Sequence, residues 1–267
     1  MEESRLIEYI KINPSTIKTI DNPTDEMKIA AILKDGTALK YIENPTREMQ
    51  ELAIDNNVRA IEYIDNPTED MMIKVVNDGW SSLEYINNPT DKVVKLAINQ
   101  AGWAIQYIEN PSEELQLLAV RKNYDSVKYI KEPYESVEKE AVKINSVALR
   151  YIDTPTHNVE LMAIKEDESA IGLIKNLDKK KMLEFLKANI LVIKYIVKDV
   201  TKDELEEVLK QVLSKENVDE KYIRDFLNCR TIDRDSDTMP IDKIIFISTF
   251  GSKKAKKIAV DEKLKII

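Results

Sequence analysis

Glycine is scarce in this chain, with 5 residues in 267, and aromatic residues make up only 6%. Set against 33% charged residues, that poverty excludes an all-β sandwich, whose strands need alternating aromatic and β-branched side chains, and leaves a helix-rich protein. No run of about 18 apolar residues occurs, so no membrane-spanning helix is expected. The opening MEESRLIEYIKIN has none of the basic, apolar and small-residue order of a secretory signal, and the reading is a soluble, cytoplasmic protein with no membrane partner. The single cysteine, Cys229, excludes an intrachain disulfide and any cysteine cage for zinc or an iron–sulfur cluster. With the only histidine far away in sequence, Cys229 reads as a semi-buried thiol rather than a nucleophile.

What the chain has in plenty is charge, unevenly placed. The net charge is −8, and residues 41–91 carry all of it, with 11 acidic and 3 basic side chains. Residues 121–150 reverse the sign with 7 basic and 5 acidic. Such polarity bears on solubility and on steering of partners, not on fold.

Seven of the nine prolines stand 22 residues apart, at 23, 45, 67, 89, 111, 133 and 155. Four residues after each comes an apolar side chain (Met27, Met49, Met71, Val93, Leu115, Val137, Val159), four later a small one such as Ala31 or Ala53, then a larger one such as Ile32 or Ile54. That spacing is one face of a helix. A second apolar cluster closes each unit, as in Tyr41-Ile42, Tyr63-Ile64, Tyr85-Ile86, Tyr107-Ile108, Tyr129-Ile130 and Tyr151-Ile152. Asn-Pro-Thr puts proline at the helix entry, where it costs no hydrogen bond, and a hydroxyl such as Thr46 or Thr68 able to cap free N–H groups. The turn chemistry between the clusters leaves room for two short helices, the second of them a tight or 3-10 turn. A unit this small cannot bury its apolar face alone, so units must stack.

The stretch NNVRAIEYIDNPTEDMM resembles the leucine-rich-repeat variant repeat. Val58-Arg59, Asn66-Pro67 and Thr68 match that pattern, and Leu52-Ala53, Leu96-Ala97 and Leu118-Ala119 match its helix end. The resemblance covers about residues 20–175 and implies alternating α and 3-10 helices in a right-handed superhelix. The period of 22 is shorter than the family's, and no amino-terminal cysteine cluster exists, so no iron–sulfur site carries over. The expected fold is thus all-α: a right-handed α-solenoid of 22-residue two-helix repeats over residues 1–199, about nine units with the first and last degenerate. Residues 200–267 form a small helical module. There, Thr201 and Glu204 form a capping box, VDEKYIRDFLN is a second helix, CRTIDRDSDTMP a loop, and the remainder two helices divided at Gly251, although IIFIST alone suits a strand.

The search for chemistry finds little. His157 lies at a helix entry with no serine, cysteine or second histidine in motif spacing, and reads as a solvated cap residue. Asp233, Asp235 and Asp237 resemble the start of a calcium loop, but Thr238 and Ile244 stand where glycine and the bidentate glutamate belong, so an acidic surface loop is expected. No metal, cofactor or catalytic residue is assigned and the chain reads as a non-enzyme; a site within 200–267 is the weakest alternative.

The two tryptophans stand out. Trp80, Trp103 and Tyr124 fall in consecutive inter-helix turns at near-equal offsets from their prolines, which predicts one aromatic edge. It is either a roof over helix ends or a binding hot spot. The recurring Tyr63, Tyr85, Tyr107 and Tyr129 read as packing residues with hydroxyls at the rim. The lysine runs at 179–181 and 253–257 read as solvated helix faces. The function expected is a protein–protein interaction scaffold, adaptor or inhibitor gripping a protein partner through Trp80, Trp103 and Tyr124, flanked by acidic Glu62, Glu69, Asp70 and Glu84. The rival is a nucleic-acid binder on the basic stripe Arg121, Lys122, Lys128, Lys131, Lys143 and Arg150.

Overall fold

The computed structural model describes residues 2–264, without the side chains of residues 2 and 263. The chain packs as two compact units, Met1–Pro133 and Tyr134–Ile267. In the amino-terminal unit, α1 (Glu2–Ile12) is followed by the 3-10 helix Pro14–Thr19. α-Helices and 3-10 helices then alternate: α2 (Asp25–Lys34), Gly36–Tyr41, α3 (Arg47–Asn56), Val58–Tyr63, α4 (Glu69–Asp78), Trp80–Tyr85, α5 (Asp91–Gln100), Gly102–Tyr107, α6 (Glu113–Lys122) and Tyr124–Tyr129. Successive α-helices pack on one another, as do successive 3-10 helices.

The carboxy-terminal unit begins in the same style. It runs α7 (Glu135–Ile144), Ser146–Tyr151, α8 (His157–Glu166), Glu168–Leu173, α9 (Lys179–Ala188) and Ile190–Val192. The remaining helices are α10 (Ile193–Ile196), α11 (Lys202–Leu213), α12 (Glu220–Asn228), α13 (Lys243–Phe250) and α14 (Lys253–Leu264). Between α12 and α13 two short strands, β1 (Ile232–Asp233) and β2 (Met239–Pro240), pair in parallel inside the stretch read as loop. IIFIST is helical, as part of α13, and Gly251 caps it. The capping box at Thr201 and Glu204 opens α11.

The apolar positions read from the repeat form the core. Met27, Ala31, Ile32, Met49, Ala53 and Ile54 are at most 4% exposed, and their counterparts through Val159, Ala163 and Ile164 are buried too, Leu115 being the most exposed of them at 8%. The hydroxyl residue after the proline is the N-cap in six of the seven units: Thr24, Thr46, Thr68, Thr90, Ser112 and Thr156 each accept from the N–H three residues on, at 3.3–3.4 Å. The proline therefore lies one residue outside the α-helix rather than in its first turn. In the carboxy-terminal unit Tyr134 stands at the cap position of α7 and makes no side-chain cap bond.

Polar straps join neighbouring sequence units. Glu69 accepts from Thr90 Oγ1 at 2.7 Å and from Lys92 Nζ at 2.9 Å, and Glu135 accepts from Thr156 Oγ1 at 2.9 Å. Asn56 takes the Gly36 N–H at 2.7 Å and gives its amide to the Leu33 carbonyl at 3.0 Å. Thr90 thus caps α5 and ties it to α4. Thr90→Ala should cost about 1 to 2 kcal/mol in chemical denaturation, and Thr90→Ser should keep most of that stability; an alanine variant as stable as the parent would show that neither bond matters.

Candidate protein-binding surface

The aromatic edge is built on three consecutive 3-10 helices of the amino-terminal unit. Trp80 is the first residue of Trp80–Tyr85, held there by the turn at Gly79, whose carbonyl accepts from Ser82 N at 3.0 Å. Buried Leu83 anchors that helix to the core. One unit on, the place of Trp80 is taken by Gly102 and the next residue is Trp103. The two indoles meet edge to face, centroids 6.3 Å apart at 61°. Trp80 also lies 6.3 Å from the Tyr107 ring. Trp80 and Trp103 are both half-buried, so each offers one side to solvent while the other packs.

The edge continues through polar groups. Trp103 Nε1 donates to Asp125 Oδ1 at 2.8 Å, and Lys128 Nζ donates to Asp125 Oδ2 at 2.9 Å while standing 4.9 Å from the Tyr129 ring. Burial pushes the Asp125 carboxyl up, but the hydrogen bonds from Lys128 and Trp103 outweigh it and hold it below the usual carboxylate range. Burial, then the charge of Glu84, pushes the Tyr107 phenol up. Further along, Lys40 Nζ lies 4.9 Å from the Tyr41 ring and 5.9 Å from Tyr63, and the Arg59 guanidinium 5.4 Å from Tyr85. Rings and cations alternate along these 3-10 helices, an arrangement worth about 0.5 to 1 kcal/mol per exposed pair.

The residues singled out from the sequence do not all converge. Trp80 and Trp103 meet; Tyr124, half-buried at the start of its 3-10 helix, pairs with neither indole among the described residues. Glu62 and Glu84 are exposed and precede Tyr63 and Tyr85 in their 3-10 helices; Glu62 is bonded to Arg59 at 3.1 Å. Glu69 and Asp70 open α4, whereas Trp80 follows its far end, about 15 Å away along a helix of that length. Hydrogen bonds from Lys92 and Thr90 hold the Glu69 carboxyl below its ordinary range, so it is a strap between helices. Sequence reasoning missed Tyr107, Asp125 and Lys128 as members of the edge. The register could have found Asp125, which is 22 residues after Trp103.

The basic residues divide between the units. Arg121 and Lys122 end α6, with Lys131 exposed nearby and Lys128 committed to Asp125; Lys143 and Arg150, both exposed, belong to the carboxy-terminal unit.

His157 opens α8 and leaves 40% of its side chain exposed, as expected of a helix-entry residue, but it is not without partners. Its Nε2 lies 2.7 Å from Glu184, its Nδ1 3.6 Å from buried Glu160, and its ring stacks on Phe185 at 5.9 Å. Cys229 is fully buried, at 2% exposure, rather than semi-buried. In the acidic loop Asp233 lies 3.5 Å from Lys243 and Asp235 3.4 Å from Arg234. Among the described residues no three histidine, cysteine or acidic side chains are grouped to hold a metal ion, and no helix is long and apolar enough to cross a membrane. In comparison with known proteins, the chain matches no family model, no curated protein and no solved structure.

Proposed function

We propose that residues 1–199 are a right-handed α-solenoid of 22-residue repeats, related to the leucine-rich-repeat variant type and followed by a helical module over 200–267, and that the chain binds another protein as a scaffold, adaptor or inhibitor. The observation that supports this reading is the pair of half-buried tryptophans meeting at 6.3 Å on an edge continued by Tyr107, Asp125 and Lys128. Tryptophan and tyrosine dominate interface hot spots because they bury much area with little loss of side-chain freedom. Here they are already held by packing and by an indole hydrogen bond, which lowers the ordering cost of binding further.

The test is affinity capture from native lysate, with and without nuclease, using the parent chain, Trp80→Ala and Trp103→Ala. A stoichiometric protein that survives nuclease and is lost from both variants is the expected result. Each replacement should weaken the purified pair by more than about 1 kcal/mol. Equal capture by all three chains would dismiss the aromatic edge. Recovery of nucleic acid alone, falling steeply with salt, would shift the reading to Arg121, Lys122 and Lys131, with Lys143 and Arg150 in the other unit.

A further inference from the structure

The carboxy-terminal unit exposes an apolar face that its own helices leave uncovered. α13 reads KIIFISTF, and its only charged residue, Lys243, turns inward to donate to the Leu227 carbonyl at 2.8 Å. Phe246 and Ile247 are buried, but Ile245 is 65% exposed, Ile244 39% and Phe250 40%, and Ser248 and Thr249 beside them are exposed without charge. A helix apolar on every side ordinarily lies inside a protein. Beside it, α14 exposes Val260 at 58% and Leu264 at 64%. Ile244 and Ser248 of α13 line a groove of about 240 Å³ with Lys256, Ala259 and Val260 of α14. A patch of this make-up on a soluble domain marks a contact surface.

The charges at the two ends of the groove say what covers it. At one end stand Lys256 and Lys210, the latter 4.9 Å from the Phe250 ring. At the other, sharing Ile244 and Ala259, opens a cavity of about 320 Å³ lined by Asp233, Asp235, Asp242 and Glu262 against the lining cations Arg234 and inward-turned Lys243, with Arg224 paired to Glu262, so that acids still outnumber cations there. The face is thus apolar in the middle, basic at one end and acidic at the other. A two-fold axis through Ile244, Ile245 and Val260 reverses the direction of a second copy, so the basic end of each meets the acidic end of its mate. That is the self-complementarity an isologous contact requires.

We propose that α13 and α14 form the contact through which two copies of this chain pair about a two-fold axis. The proposal is independent of the aromatic edge in the other unit. Sedimentation equilibrium of the full chain from about 1 to about 100 µM, which reads dissociation constants worth about 5 to 8 kcal/mol, should show the mass rising from 30.8 kDa toward that of a dimer. Ile245→Glu should stay monomeric throughout, with an unchanged circular-dichroism spectrum, since the side chain already faces solvent. Lys256→Glu should weaken pairing at least tenfold, and adding Asp235→Lys, which restores opposite charges across the axis, should recover most of it. A parent chain monomeric over the whole range, an Ile245→Glu variant that pairs as the parent does, or a charge swap without rescue would each overturn the proposal.

Discussion

Gly102→Ala is expected to destabilise the amino-terminal unit by about 3 kcal/mol, the upper part of the usual cost of overfilling a packed site. A Cβ at residue 102 would stand 2.2 Å from the Ala119 carbonyl oxygen. That carbonyl belongs to the last turns of α6 and accepts the Asn123 N–H at 2.9 Å, so it cannot swing aside without breaking that bond. Nor can the glycine retreat freely, because its own N–H is tied to Asn123 Oδ1 at 2.8 Å. The 3-10 helix Gly102–Tyr107 must therefore lift away from α6, carrying Trp103 with it. The tryptophans are the only two in the protein, so the same substitution should change the intrinsic fluorescence of the native state. Gly36→Ala, 2.3 Å from the Ala53 oxygen, should cost a similar amount. Gly79→Ala is the control: its backbone is extended and nothing lies within 4 Å of the added carbon, so stability should change by less than about 0.5 kcal/mol. Equal denaturation midpoints for the alanine variants at 79 and 102 would refute the close-approach argument.

Lys181→Met should cost the carboxy-terminal unit about 3 kcal/mol, because removing one partner of a buried ion pair leaves the other charge uncompensated. Glu160 is the buried partner, its side chain only 4% exposed. Oε1 takes a hydrogen bond from Lys181 Nζ at 2.8 Å, and Oε2 lies equally close to the same ammonium without a hydrogen bond of its own. His157 approaches Oε2 only to 3.6 Å. In the other unit the equivalent place is held by Gln116, whose amide donates to the Pro111 carbonyl at 3.0 Å, so an uncharged side chain is tolerated there. Glu160→Gln should accordingly be milder than Lys181→Met. The double variant should recover much of the loss, giving a coupling of about 1 to 2 kcal/mol in a double-mutant cycle. Additive losses would mean that the pair is solvated and contributes little.

The sequence alone determined the parts of this protein that are local. Proline and threonine in fixed register place helix entries, because a cap bond spans only three residues. Apolar spacing after each proline names the buried face, because helical periodicity is a property of the chain itself. Tertiary structure decided whatever depends on how one unit sits against the next. Trp80 and Trp103 were legible as neighbours along an edge, but their edge-to-face contact hangs on Gly102 letting a 3-10 helix approach α6. Glu69 looked like part of an acidic patch, yet Thr90 and Lys92 reach back to claim it. The partners of His157 were hidden because nothing nearby in sequence foretells Glu184 and Phe185 arriving from α9. The run IIFIST has no period to choose helix or strand, and packing against α11, α12 and α14 made it a helix. Periodicity encodes which side of a segment is buried; which residues meet across 20 or more positions of chain depends on the rise and rotation between units, which side-chain volumes set together and no single stretch spells out.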